Sequence, residues 1–63
     1  MIQITYGAET WTSNRRLTVI QMLTLIKVLP ETVLVVSNGQ LMAEDQYLIP
    51  GDLVKVVSVV SGG

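Results

Sequence analysis

The residues in this chain that are able to do chemistry are few, and their types narrow the chemistry sharply. The 63 residues include no cysteine and no histidine. That removes the thiolate nucleophile, the sulfur metal ligand, the disulfide, the commonest general base and the commonest metal ligand together. Ser-His-Asp and Cys-His catalysis within the chain are excluded. The five acids, Glu9, Glu31, Glu44, Asp45 and Asp52, are scattered apart from the adjacent Glu44-Asp45, which reads as a solvated loop pair. Arg15-Arg16 is the only basic pair, and a solvated loop accounts for it. What remains is the end of the sequence, Gly62-Gly63, which follows directly on a strand-like run. Two residues without Cβ make a slender backbone able to enter a narrow channel, and on this reading Gly63 carries a terminal carboxylate at its tip. An α-carboxyl group titrates near about 3.5, so at neutral pH it is ionised and resonance-stabilised. It becomes an acyl donor only after its oxygen is converted into a good leaving group. A diglycine is equally what a fraying end looks like, so the elements before it have to decide.

Length and composition point to one small domain near the lower limit for a self-supporting core. With 49% apolar residues the chain is suited to a packed fold. The expected division is a compact domain over 1–60 and a flexible tail over 61–63. A formal charge of −1 leaves no electrostatic footprint for nucleic acid. No apolar run reaches the ~18 residues of a membrane span, and the first residues lack the basic start and apolar stretch of a signal peptide. A cytoplasmic location, with no membrane and no nucleic-acid partner, is the expectation.

Met1 to Tyr6 alternates apolar and polar residues with the period of a half-buried strand. Gly7 breaks the pattern, and Glu9 to Thr12 reads as a short return strand, giving an N-terminal hairpin. Trp11 on it reads as a packing residue at the sheet edge. Ser13 to Leu17 reads as a polar loop. Thr18 then has the chemistry of a helix N-cap, with Gln21 completing a capping box and Leu17 and Met22 placed to form a hydrophobic staple. The helix is predicted from Val19 to about Leu29, where Pro30 stops it. Gln21, Thr24 and Lys27 recur every third residue as a wet stripe, while Val19, Met22, Leu23 and Ile26 make the buried face.

Thr32 to Ser37 is β-branched and apolar on both faces, as a central strand is. Asn38-Gly39 is the strongest hairpin turn signal in the chain, leading to a short strand over Gln40 to Met42. Ala43 to Ile49 is irregular, with Tyr47 and Leu48 expected to tuck inward. Pro50-Gly51-Asp52 reads as a turn, and Leu53 to Val60 as the longest strand. One helix across one face of a mixed sheet of four to five strands is the simplest way to bury these faces. The expected fold class is therefore α+β.

These residues resemble the ubiquitin-like β-grasp sulfur carriers, the ThiS and MoaD type, over essentially the whole chain. Thr18-Val19 with Leu23, the run Val35-Val36-Ser37-Asn38-Gly39, and above all Leu48-Ile49-Pro50-Gly51-Asp52-Leu53-Val54 leading to Gly62-Gly63 carry the resemblance. The short chain favours the thiamine-type carrier. Pro50, where an acidic residue is frequent, and the brief Ala43 to Leu48 segment depart from the pattern and leave the subfamily open. The resemblance implies a carrier and not an enzyme. An adenylyltransferase of the ubiquitin-activating kind (ThiF/MoeB-like) would use ATP and magnesium to adenylate Gly63, and sulfur would replace the adenylate to leave a thiocarboxylate. A synthase such as thiazole synthase would accept the sulfur, most directly in thiamine biosynthesis. The chain itself would bind no cofactor and no metal.

Ser61 and Gly62 would form the neck, projecting with Gly63 roughly 10 Å beyond the last strand. If Val54 and Val56 face the helix, then Lys55, Val57 and Val59 point from the opposite face as a docking patch next to the tail. A molybdopterin-type carrier, a ubiquitin-like protein modifier and a TGS-like RNA-associated interaction module remain the alternatives.

Overall fold

The computed structural model describes residues 1–59. Of the expected functional positions, Ser61, Gly62 and Gly63 lie outside the described residues, as does Val60.

The N-terminal hairpin forms as the alternation dictates. Strand β1 (Ile2–Tyr6) pairs antiparallel with β2 (Glu9–Ser13), placing Trp11 opposite Ile4. Trp11 is half-buried and packs on the core from the sheet edge. A two-residue strand β3 (Leu17–Thr18) leads into helix α1 (Val19–Leu25). A 3₁₀ turn over Pro30–Thr32 connects to β4 (Val33–Ser37), followed by β5 (Gln40–Met42), the two-residue β6 (Tyr47–Leu48) and β7 (Leu53–Ser58). The five-stranded sheet has the order β2-β1-β7-β4-β5. The β1–β7 pair at its centre is parallel, and its other pairs are antiparallel. This mixed sheet with one helix across it is an α+β, ubiquitin-like β-grasp.

The core follows from two periodicities meeting. Ile2 and Ile4 on β1, Val33 and Val35 on β4, and Val54 and Val56 on β7 alternate inward, and Val19, Met22 and Leu23 on α1, with Ile26 at its C-cap, meet them. Leu17 and Leu48, paired between β3 and β6, belong to the same cluster. Ile2, Met22 and Leu48 are fully buried, and burying each side chain stabilises the fold by roughly 1.5–3 kcal/mol.

The capping box is present in both directions. The Gln21 N–H donates to Thr18 Oγ1 at 3.2 Å, and the Thr18 N–H donates to Gln21 Oε1 at 2.9 Å. At its far end the helix is shorter than the expectation of Leu29. Lys27 adopts a φ of 61°. The Val28 N–H donates to the Leu23 carbonyl at 2.9 Å and the Lys27 N–H to that of Thr24 at 3.2 Å, which is the paired bonding of a Schellman ending. The chain therefore leaves the helix before Pro30 is reached.

Two other expectations are corrected. The loop over Ser13 to Leu17 ends in a strand, because Leu17 and Thr18 pair with Leu48 and Tyr47. Leu48 is buried as expected, but Tyr47 is exposed. Adjacent residues in extended backbone point to opposite sides, so only one of the two can enter the core.

Candidate functional site

The sheet shows the solvent a second face, and β7 runs through its middle. Lys55 lies opposite Thr5 on β1 and Val36 on β4, and Val57 lies opposite Leu34. Leu41 on β5 is aligned with Val36, and Leu53 with Gln3. Alternation along β7 buries Val54 and Val56 and leaves Lys55 and Val57 exposed. Val59, just beyond β7, is also exposed. Leu34, Leu41 and Leu53 are respectively 45%, 64% and 62% exposed, so an apolar band continues across three strands. Gln3, Thr5, Leu53 and Lys55 line a shallow depression of about 330 Å³ on it.

Sequence reasoning placed Lys55, Val57 and Val59 here and missed Leu34, Leu41 and Leu53. It read the run apolar on both sides as a central strand, which β4 is, lying between β7 and β5, but did not carry its outward residues into the patch. One helix, however, covers only one face, and that count was available in the sequence as the signal for the open band.

Both ends of β7 are fixed by specific bonds. At its start, Gly51 has a φ of 104°, a backbone conformation that favours glycine. The Asp52 carboxylate accepts from the Ile49 N–H at 3.0 Å and from the Asn38 amide at 3.1 Å. Asn38 Oδ1 accepts from the Leu53 N–H at 3.1 Å, and the Asn38 N–H donates to the Leu53 carbonyl at 3.0 Å. Asn38 and Gly39, with φ of 52° and 84°, form the two-residue turn between Ser37 and Gln40. This positive-φ pair suits the twist of a hairpin. One asparagine thus makes the β4–β5 turn and clamps the entry to β7. At the other end, the Val59 N–H donates to the Thr32 carbonyl at 3.0 Å, while Thr32 Oγ1 donates to the Leu29 carbonyl at 2.7 Å. The exit of β7 is thereby attached to the 3₁₀ turn.

Chemically, the described residues supply position and surface. Glu44 and Asp45 are exposed in the loop after β5. Among the described residues, no three His, Cys, Asp or Glu side chains converge as a metal site would require. No helix among them is long and apolar enough to cross a membrane.

No family model matches the chain, and no curated protein matches it. Among solved structures, it is similar to the crystal structure of the thiamine biosynthesis protein ThiS from Geobacter metallireducens. The TM-score is 0.69 and the identity 25%, over 97% of this chain and 99% of that one. The described residues have a ThiS-like β-grasp fold.

Proposed function

We propose that this chain is a sulfur carrier whose reactive group is the carboxylate of Gly63. The observation that carries the proposal is the full-length likeness to ThiS, in a sequence where Gly62-Gly63 follows four residues after the last described strand ends at Ser58. A partner adenylyltransferase binds ATP and magnesium. The Gly63 carboxylate oxygen attacks the α-phosphorus, and pyrophosphate leaves. A hydrosulfide-level nucleophile then attacks the acyl carbon, AMP departs with its electron pair, and the Gly63 thiocarboxylate remains. A synthase accepts that sulfur, with thiazole formation in thiamine biosynthesis the leading destination. The domain over 1–60 is the handle and the tail over 61–63 is the reach.

In this mechanism, docking falls to the open face. Lys55 and Val57, with Leu34 and Leu53 beside them, lie on the strand pair from which the tail departs, and Val59 is the last described residue on that path. Apolar area on an otherwise uncovered sheet face suits a partner surface, and Lys55 adds one charge to orient it.

The test is ATP–pyrophosphate exchange catalysed by an adenylyltransferase from the same genome. Adding the full chain should stimulate exchange, and removing Gly63 should abolish the stimulation without altering the fold. Equal exchange with and without the chain, for every such enzyme of that genome, would overturn the proposal. Isopeptide-linked conjugates of the chain in cell extract would assign it to the protein modifiers instead.

A further inference from the structure

A second surface lies away from the open sheet face, and its chemistry differs. The loop between β2 and β3 and the exposed side of α1 border an open cleft of about 450 Å³ lined by Ser13, Arg15, Arg16, Leu17, Gln21 and Leu25. Two of the four basic residues in the chain stand here, and no acidic side chain lines the cleft. The arginines are not on a free-swinging loop. The Arg16 guanidinium stacks over the Tyr47 ring at 4.3 Å, a cation–π contact that holds its plane. The Ser13 hydroxyl accepts the Arg15 N–H and donates to the Arg15 carbonyl, each at 3.2 Å. Gln21 is held by its capping bond to Thr18.

Leu25 is the second observation. It sits one helical turn after Gln21, on the side away from the core, and is 68% exposed. Nothing in the core requires an aliphatic side chain there. A guanidinium stacked in place at Arg16, a second on the anchored backbone of Arg15 and an exposed leucine are together complementary to a carboxylate neighbouring an apolar side chain, and guanidinium forks bind carboxylates in two-pronged geometry.

We infer that this cleft is a docking site for an acidic protein segment, with carboxylates on Arg15 and Arg16 and an apolar side chain on Leu25. A polynucleotide fits less well, since two guanidiniums on a chain of net charge −1 offer little to a phosphate backbone. The site lies outside the open sheet face, so a partner bound here leaves that face uncovered. This inference does not rest on the sulfur-carrier reading, and its test uses neither ATP nor an activating enzyme.

The experiment is a ¹⁵N–¹H NMR titration of the full chain with the acetylated, amidated hexapeptide Glu-Asp-Leu-Glu-Asp-Leu, taken to about 5 mM. Amide shifts should move for Ser13, Arg15, Arg16, Gln21 and Leu25, and weaken severalfold between low and high salt as screening sets in. The neutral peptide Gln-Asn-Leu-Gln-Asn-Leu should bind at least about tenfold more weakly, a difference of about 1.4 kcal/mol. The double variant Arg15→Gln/Arg16→Gln should lose the response, and Leu25→Gln should weaken it severalfold; all three positions are exposed, so the fold survives. No shift by the highest concentration, equal binding of the neutral peptide, or shifts confined to Lys55 and Val57 would overturn the inference. Tighter binding of a single-stranded RNA oligonucleotide at the same amides would reassign the cleft to nucleic acid and overturn it equally.

Discussion

Replacing Asn38 tests the clamp that sets the entry of β7. Asn38→Gly removes two side-chain bonds, from the amide to Asp52 and from the Leu53 N–H to Oδ1, while keeping a residue that tolerates a φ of 52°. A net hydrogen bond contributes about 1 kcal/mol. The bond to the Asp52 carboxylate is taken at that same value because it is solvent-exposed. The expected loss is therefore about 2 kcal/mol. Asn38→Ala loses the same bonds and also forces a Cβ-bearing residue without a local hydrogen bond into the left-handed region, adding about 1 kcal/mol. Against a total of roughly 3–9 kcal/mol for a domain of this size, either change is large. Urea unfolding followed by Trp11 fluorescence should show a lower midpoint with an unchanged slope. In a double-mutant cycle, Asn38→Gly and Asp52→Ala should couple by about 1 kcal/mol through the bond they share. Asn38→Gly within about 0.5 kcal/mol of the parent, or Asn38→Ala no worse than Asn38→Gly, would refute the reasoning.

Three further outcomes are expected. Lys27→Gly should stabilise the chain by about 0.5–1 kcal/mol in the same urea assay, because glycine relieves the positive φ at the helix ending. Leu48→Ala, at a fully buried position, should remove about 2–5 kcal/mol, enough to broaden or lose native amide dispersion in NMR spectra. Val57→Lys, on the exposed side of β7, should change stability by less than about 0.5 kcal/mol yet suppress chain-stimulated ATP–pyrophosphate exchange at least about tenfold, or about 1.4 kcal/mol of docking energy.

Much of this fold is written in local chemistry. Thr18 and Gln21 are three residues apart, so their mutual capping is visible without any tertiary knowledge, and Asn38-Gly39 names its turn by the φ values it tolerates. The buried face of α1 follows from spacing alone. Features set at long range were not legible in the same way. The Asn38 to Asp52 bond joins residues 14 apart, and no local pattern announces it. The β3–β6 pair has two residues per strand, too few for alternation to show. Lys27 ends the helix in a conformation usually left to glycine or asparagine, and its identity gives no hint of that. At the candidate site, the alternation of β7 revealed Lys55 and Val57 and, followed back two residues, also turns Leu53 outward, whereas Leu34 and Leu41 required knowing which strands flank β7 and that a single helix covers the sheet.

The proposal that Gly63 carries sulfur as a thiocarboxylate is open to direct test. The direct measurement is intact mass spectrometry of the full chain after incubation with its adenylyltransferase, ATP, magnesium and sulfide. The expected result is a mass gain equal to one oxygen replaced by sulfur, located in the C-terminal peptide, absent without ATP and absent when Gly63 is deleted, and reversed on addition of a sulfur-accepting synthase with its other substrates. An unchanged mass in the presence of an enzyme that demonstrably adenylates the chain, or sulfur located anywhere but Gly63, would contradict it.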